Sequence, residues 1–389
     1  MRTAQTTSLR RLQATTFVST LDRFAMPPML VAIAAGLGAP LSEIVQAAGA
    51  YFLVYGLCQP VWGAVSDRLG RVHTMRLTLL AAGLLSLLSA AAWSPLSLAV
   101  TRGLAGGFFG AAYPSTLIYV GDTVAISERQ RDIARLMVGV AVGTALASVG
   151  AGVLADVSSW RVAFVITGGA SVVLSWTLRR LPEPDAALRP GSVREAVGSV
   201  RRSPVTLLVL LFAFAEGAVL LGGLTLLPPA VEDAGATAAV AGAVTGVYGV
   251  SVFLGSRLVG RLAGSWHPAR LIGFGAGCAV VGCGLLAISQ EAPMAAAVAV
   301  LLGLAWTSMH SSLQTWATEV LPQARATVVS FFAGALFVGS ALAAVLVAGL
   351  VDEGRFSLIY AMYAALAVPL GVVASWRRRR WHRPSIGAP

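Results

Sequence analysis

Charge is what this 389-residue chain has least of: 12% of its residues are charged and 57% are hydrophobic, at a mean hydropathy of +0.78. A soluble domain carries about 25% charged residues. Half that share cannot coat a 40.0 kDa globule with polar side chains, which excludes a soluble enzyme. Lysine is absent altogether, and all 28 basic residues are arginine, a bias that points to a GC-rich bacterial genome. Cysteine is scarce. Cys58, Cys278 and Cys283 all fall inside apolar stretches, which argues against a disulfide framework. The alternation of a membrane barrel is missing, because the apolar runs are continuous. No G-x-x-x-x-G-K-[ST] phosphate loop is present, so ATP drive is excluded. Neither H-E-x-x-H, G-x-S-x-G nor G-x-G-D occurs, since Gly121-Asp122 lacks the first glycine, so an intramembrane enzyme is not expected. No cofactor and no metal site are expected.

What is present is a series of apolar runs. A helix crossing a hydrocarbon core of about 30 Å needs roughly 20 residues. That window predicts twelve spans, near 13–36, 44–65, 73–92, 96–120, 134–155, 161–178, 204–228, 238–262, 270–289, 293–317, 325–350 and 356–376. The first is retained rather than cleaved as a signal peptide, because Asp22 and Arg23 interrupt it. Arginine placement sets the orientation. Apart from Arg161 and Arg355 outside and Arg23 and Arg102 within spans, 24 of the 28 arginines fall on one side. The opposite loops carry Glu43, Asp156, Glu232, Asp233, Glu291, Asp352 and Glu353. The net charge of +11 is thus the positive-inside rule rather than a nucleic-acid site. A multi-pass protein of the bacterial inner (plasma) membrane is expected, with both termini cytoplasmic and lipid as its surroundings.

The polar stretch Arg179–Pro204 divides the spans six and six. The expected organisation is a bundle over 1–178, a cytoplasmic linker over 179–203, and a second bundle over 204–389 ending in a basic tail. A weak internal echo appears at an offset of 194: Gly70, His73, Arg76 and Leu77 fall on Gly264, His267, Arg270 and Leu271. The same offset carries Asp22 onto Glu216.

The segment Gly63-Ala-Val-Ser-Asp67-Arg68-Leu-Gly70-Arg71 lies between the second and third spans. It resembles the G-x-x-x-D-R-x-G-R signature of the major facilitator superfamily at every fixed position. Leu98-Ala-Val-Thr-Arg102-Gly-Leu-Ala-Gly106 resembles that family's L-x-x-x-R-x-x-Q-G, with Ala105 in place of glutamine. Trp160-Arg161-Val-Ala-Phe164 resembles the W-R-x-x-F that opens its sixth span. The resemblance covers essentially the whole chain and implies an all-α membrane protein of twelve transmembrane helices in two pseudo-symmetric six-helix bundles. It is nearest to the twelve-span drug:proton antiporters. One departure is the fifth span, where Gly139, Gly143, Gly150 and Gly152 keep small residues but the antiporters' G-P-x-x-G-G proline is absent. The resemblance implies a proton-coupled exporter of a small amphipathic organic compound, monomeric, working by alternating access. Uptake of a metabolite remains open, as does a lysolipid carrier, since Asp22-Arg23 also looks like the pair of spinster-type carriers. Those usually have an acid near the position of Phe109. An intramembrane receptor or scaffold is the non-transport alternative.

Ionisable groups within spans need a reason. A buried acid without a partner stays protonated, and one beside a guanidinium stays ionised. Asp22 is therefore expected in a charged network with Arg23 and Arg102, either conformation-dependent or a static ion pair. Glu216, with no basic residue in its span, is the expected proton carrier. Arg71 needs an acid, and Asp122 is the candidate; with Gly63, Asp67, Arg68 and Gly70 they form the expected cytoplasmic gate, whose contacts should exist only when that side is closed. Tyr51, Tyr55, Gln59, Trp62, Tyr113, His310 and Gln314 are candidate cavity residues. Pro27-Pro28 and Pro228-Pro229 are expected to break or bend the outer parts of spans one and seven.

Overall fold

The computed structural model describes residues 2–124, 126–184 and 193–382, and every regular element among them is a helix. Among the described residues, eleven stretches are long and apolar enough to cross a bilayer. They comprise spans one to three (Ser8–Leu37, Leu41–Ser66, Arg71–Ala90), five and six (Arg131–Val157, Trp160–Arg180), and seven to twelve (Pro204–Asp233, Ala238–Leu262, Pro268–Ile288, Ala292–Glu319, Pro322–Asp352, Phe356–Arg380).

The fourth span is not the single helix expected over 96–120. It is divided into Pro95–Phe109 and Ala112–Thr123. Pro114 explains the division, because it lacks the N–H that would bond the Gly110 carbonyl one turn earlier. Gln59 fills the gap: its Nε2 donates to that carbonyl at 3.2 Å. Trp62 likewise donates its indole N–H to the Gly107 carbonyl at 2.6 Å.

Prolines act differently in spans one and seven. Pro27-Pro28 open a 3-10 turn, Pro27–Met29, between the helices Arg2–Ala25 and Leu30–Leu37. Pro228 and Pro229, by contrast, lie inside a continuing helix, Gly223–Asp233, which corrects the expected break. Proline removes a donor without orphaning one, and every residue from Gly223 to Val231 is buried, so packing on all sides holds that helix together.

Short turns join the spans. Gly70 alone connects the second to the third, at φ +91°, a conformation that side chains with a Cβ disfavour. Ser94 and Ser97 form a capping box ahead of the fourth span, and Ser159, Ser203 and Thr237 cap the sixth, seventh and eighth. The packing is inverted relative to a soluble protein. Leu57, Leu88, Val173, Leu211, Leu346 and Val372 face outward, whereas Asp22, Arg102 and Glu216 are wholly buried.

The spans form two six-helix bundles, which meet where the second packs on the eleventh and the fifth on the eighth. Backbones approach closely there. A methyl at Gly152 would strike the carbonyl oxygen of Ala238, one at Gly242 that of Ser148, and one at Gly56 would stand 2.8 Å from that of Gly334. Two carboxylates reach across the same seam. Asp156 accepts from the Ala238 and Ala239 amides at 3.2 and 2.8 Å, and Asp352 from the Ser42 amide at 2.8 Å. These contacts run from the acidic end of the molecule to its middle. Towards the arginine-rich end, none of the described residues outside Gly63's own helix turn comes within 4 Å of where its Cβ would stand. There Ser311, Gln314 and Thr315, neighbours on one face of the tenth span, are exposed.

Candidate functional site

Asp22 and Arg102 meet in the interior of the first bundle. Arg102 Nη2 lies 2.8 Å from Asp22 Oδ2, and its Nη1 donates to Oδ1 at 3.2 Å. Two hydroxyls complete the carboxylate's shell: Ser86 donates to Oδ1 at 2.8 Å and Thr167 at 2.9 Å. The guanidinium sits between the rings of Tyr51 and Phe164, 4.6 Å from each centroid. First, third, fourth and sixth spans thus converge on one pair. Both side chains are essentially without solvent contact.

Arg23 is not part of this network, contrary to expectation. Successive helical residues point about 100° apart, and Arg23 turns instead toward the other half. Its Nη1 donates to the Tyr55 hydroxyl at 3.2 Å, and its guanidinium lies 5.0, 5.6 and 5.9 Å from the rings of Phe24, Tyr55 and Phe337. Tyr55 and Phe337 bring the halves together at a centroid distance of 4.4 Å. Tyr113 and Tyr248 both stand within the electrostatic reach of Arg23, and Tyr248 also within that of Glu216.

Glu216 has a partner that its own span could not reveal. Its Oε2 lies 3.2 Å from His310 Nδ1 on the tenth span. The other oxygen, Oε1, is buried with no hydrogen-bond partner. His310 stacks on Trp306 at 3.9 Å, leans against Phe332 at 5.7 Å, and keeps 12% of its side chain exposed. Two irregular turns flank the pair. A π turn, Gly217–Gly222, begins directly after Glu216, and another, Trp306–His310, ends on the histidine. Such bulges insert an extra residue per turn and recur at functional sites. Gly217 permits the first, since a methyl there would collide with the Leu336 carbonyl.

The remaining candidates divide. Tyr113 is half-buried, its hydroxyl 3.6 Å from Met137 Sδ, and Gln314 is exposed towards the arginine-rich end. Tyr51 and Gln59 are buried: the first is packed on Arg102, the second donates into the fourth-span break.

The loop between spans two and three holds Arg71 beside Asp122, Nε to Oδ2 at 3.3 Å, with Ser66 accepting from its Nη1 at 3.3 Å. Arg68 is exposed, and the side chain of Asp67 lies outside the described residues. The Arg71–Asp122 pair joins two elements of one half. Glu183, just after the sixth span, escaped the sequence reading. Its carboxylate accepts from the Val72 and His73 amides at 3.1 Å, in the space a side chain on Gly70 would fill. A Pro-Glu-Pro run was its only signal. Among the described residues no group of three or more His, Cys, Asp and Glu is placed to hold a metal.

Over 372 residues the chain is 26% identical to a gallate transporter of Pseudomonas putida, covering 84% of this chain and 82% of that protein. It is 26% identical over 234 residues to the multidrug resistance protein MdtG of Citrobacter koseri, covering 57% of this chain and 56% of that one. The fold is similar to that of a bacterial homologue of the human lysosomal transporter Spinster, solved inward-facing and unoccupied. The TM-score is 0.80 at 18% identity, across 99% of this chain and 100% of that one. The Major Facilitator Superfamily model matches residues 13–344 and 224–389. With its two six-helix bundles and buried charged pairs, the chain belongs to the Major Facilitator Superfamily, a family of membrane transporters rather than enzymes.

Proposed function

We propose that the protein is a proton-coupled secondary transporter of a bacterial plasma membrane, carrying a small amphipathic organic compound as a monomer by alternating access. The observation that carries this reading is Glu216: a buried carboxylate with a histidine on one oxygen and nothing on the other, between two π turns. Such a group can take up and release a proton as its surroundings change from dry to wet. The arginine distribution supports an orientation with the arginine-rich end, both termini and the linker toward the cytoplasm, and the exposed Ser311, Gln314 and Thr315 on that side support an inward-facing reading. Bundles over 1–178 and 204–389 then rock about the central site. Asp67, Arg68 and Arg71 with Gly63, Gly70 and Asp122 serve the cytoplasmic gate, and Glu183 fixes their loop. Arg71–Asp122 acts within one half as a brace, leaving Asp67 to make the closing contact.

Export is supported by the resemblance to drug:proton antiporters and by the MdtG relative. Uptake has a specific observation in its favour, the unpaired Arg23, together with the gallate transporter among the relatives.

Purified protein in proteoliposomes with an imposed pH gradient tests the coupling. Glu216→Gln should abolish gradient-driven accumulation while leaving downhill exchange intact. A variant that still concentrates substrate would remove Glu216 from the role. For orientation, in a cysteine-free background, an impermeant thiol reagent added outside should label Glu291→Cys but not Ala187→Cys, a position outside the described residues. Labelling of the latter would invert the topology.

A further inference from the structure

Two arginines lie deep in the first bundle, and only one has an anion. Arg102 is neutralised by Asp22. Arg23 has no carboxylate within 4 Å among the described residues; its neighbours are a tyrosine hydroxyl and three aromatic rings, and its Nε is buried without a partner. Rings and hydroxyls orient a guanidinium but do not cancel its charge. Unlike Arg102, Arg23 keeps part of its surface open. A solitary charge at this depth is costly unless something arrives to pair with it.

We propose that Arg23 is the subsite for a substrate carboxylate, and that the substrate is an aromatic or amphipathic monocarboxylate. The walls suit the rest of such a molecule. Tyr55 and Phe337, buried beside Arg23, and the half-buried Tyr113 provide flat apolar faces, and the Tyr113 hydroxyl donates to a thioether sulfur 3.6 Å away, a weak acceptor whose hydrogen bond an anion would readily take over. Charge arithmetic supplies the second reason. Asp22 and Arg102 cancel, leaving Arg23 and the buried Glu216 as the remaining charges in the middle of the two bundles, with His310 and Tyr248 the titratable groups around Glu216. With Glu216 ionised and His310 neutral they sum to zero. One proton on either member of the Glu216–His310 pair leaves the site at +1. A monoanion then restores neutrality only when the proton is aboard. A cation meets the wrong sign in the protonated state and gains nothing in the other. Proton and carboxylate therefore strengthen one another's binding and travel together, a coupling that rests on the reading of Glu216–His310 above.

The test uses matched probes on the purified protein: 3-phenylpropionate and 2-naphthoate, their primary amides, and the corresponding amines, titrated calorimetrically between pH 5.5 and 8. The carboxylates should bind at least about tenfold more tightly than their amides, the margin of a charge-assisted hydrogen bond, and the amines least of all. Arg23→Gln should lower carboxylate binding to the level of the amide and leave amide binding unchanged; Arg23→Lys should recover part of the loss. Failure of both carboxylates to bind, amines binding more tightly than carboxylates, or Arg23→Gln sparing the carboxylates would overturn the proposal. Equal losses of carboxylate and amide in Arg23→Gln would do the same, since that pattern marks a merely structural arginine. Carboxylate binding that ignores pH while still requiring Arg23 would keep this subsite and remove the proton-pair reading instead.

Discussion

Asp22–Arg102 and Glu216–His310 link equivalent helices of the two halves. Each joins an acid on the first helix of its half to a base on the fourth, and the acids are 194 positions apart. In the first pair the carboxylate is saturated, with a guanidinium, two hydroxyls and regular helix around it, and only Arg102 Nε is buried without a partner. The second has one contact, an idle oxygen and a π turn on either side. Arginine cannot give up its proton in a protein, whereas histidine can near neutrality. Duplicated architecture thus holds an arginine-paired acid in one half and a histidine-paired acid in the other.

Substitutions should separate the two. The largest effect is expected from Asp22→Asn, which strands Arg102 in the bundle interior. Removing one member of such a pair costs about 3–5 kcal/mol, so thermal melting of the purified protein should fall steeply or the variant fail to accumulate. Replacing both residues with leucine should recover most of the stability. A melting temperature unchanged in the single variant would show that the pair is not saturated after all.

Glu216→Gln should leave melting nearly untouched and instead end pH-driven accumulation, as described above. If it destabilises as much as Asp22→Asn, the contrast between the halves collapses. Third in size, His310→Gln retains a donor toward Glu216 but cannot trade a proton. It should slow gradient-driven transport about a hundredfold, the lower end of what a positioned proton-transfer group contributes, with exchange preserved. Equal losses in both assays would assign His310 to substrate contact alone. The smallest change should come from Ser86→Ala or Thr167→Val, each removing one hydroxyl from Asp22 at about 1 kcal/mol. Differential scanning should register it and flux should not; a flux defect would give the saturated pair a moving part.

The spans, their number and the meeting of Asp22 with Arg102 were legible because apolar length and buried charge leave few alternatives. His310 was not placed beside Glu216, since the offset that aligns the acids sets it against Thr116, far from Arg102 in sequence. Periodicity is blind to the π turns, which shift side-chain direction within a helix that still reads as uniform. The fourth-span break was written in Pro114, but only the Gln59 side chain filling the gap shows why the bundle tolerates it. Arg23 was misassigned because adjacency along the chain was taken for adjacency in space, and a helix turns neighbours away from each other.

The seam between the halves has a kinetic consequence. Where Gly152 meets Ala238 and Gly242 meets Ser148, backbone lies on backbone with no side chain between. Parting those crossings releases few trapped rotamers and reclosing them freezes few, so side-chain ordering adds little there to the cost of separation. What holds the seam is short-range dispersion, the hydrogen bonds of Asp156 and Asp352 and the Tyr55–Phe337 ring contact, all lost within a small displacement. Motion across it should be abrupt, between two discrete positions, with few stable stops on the way.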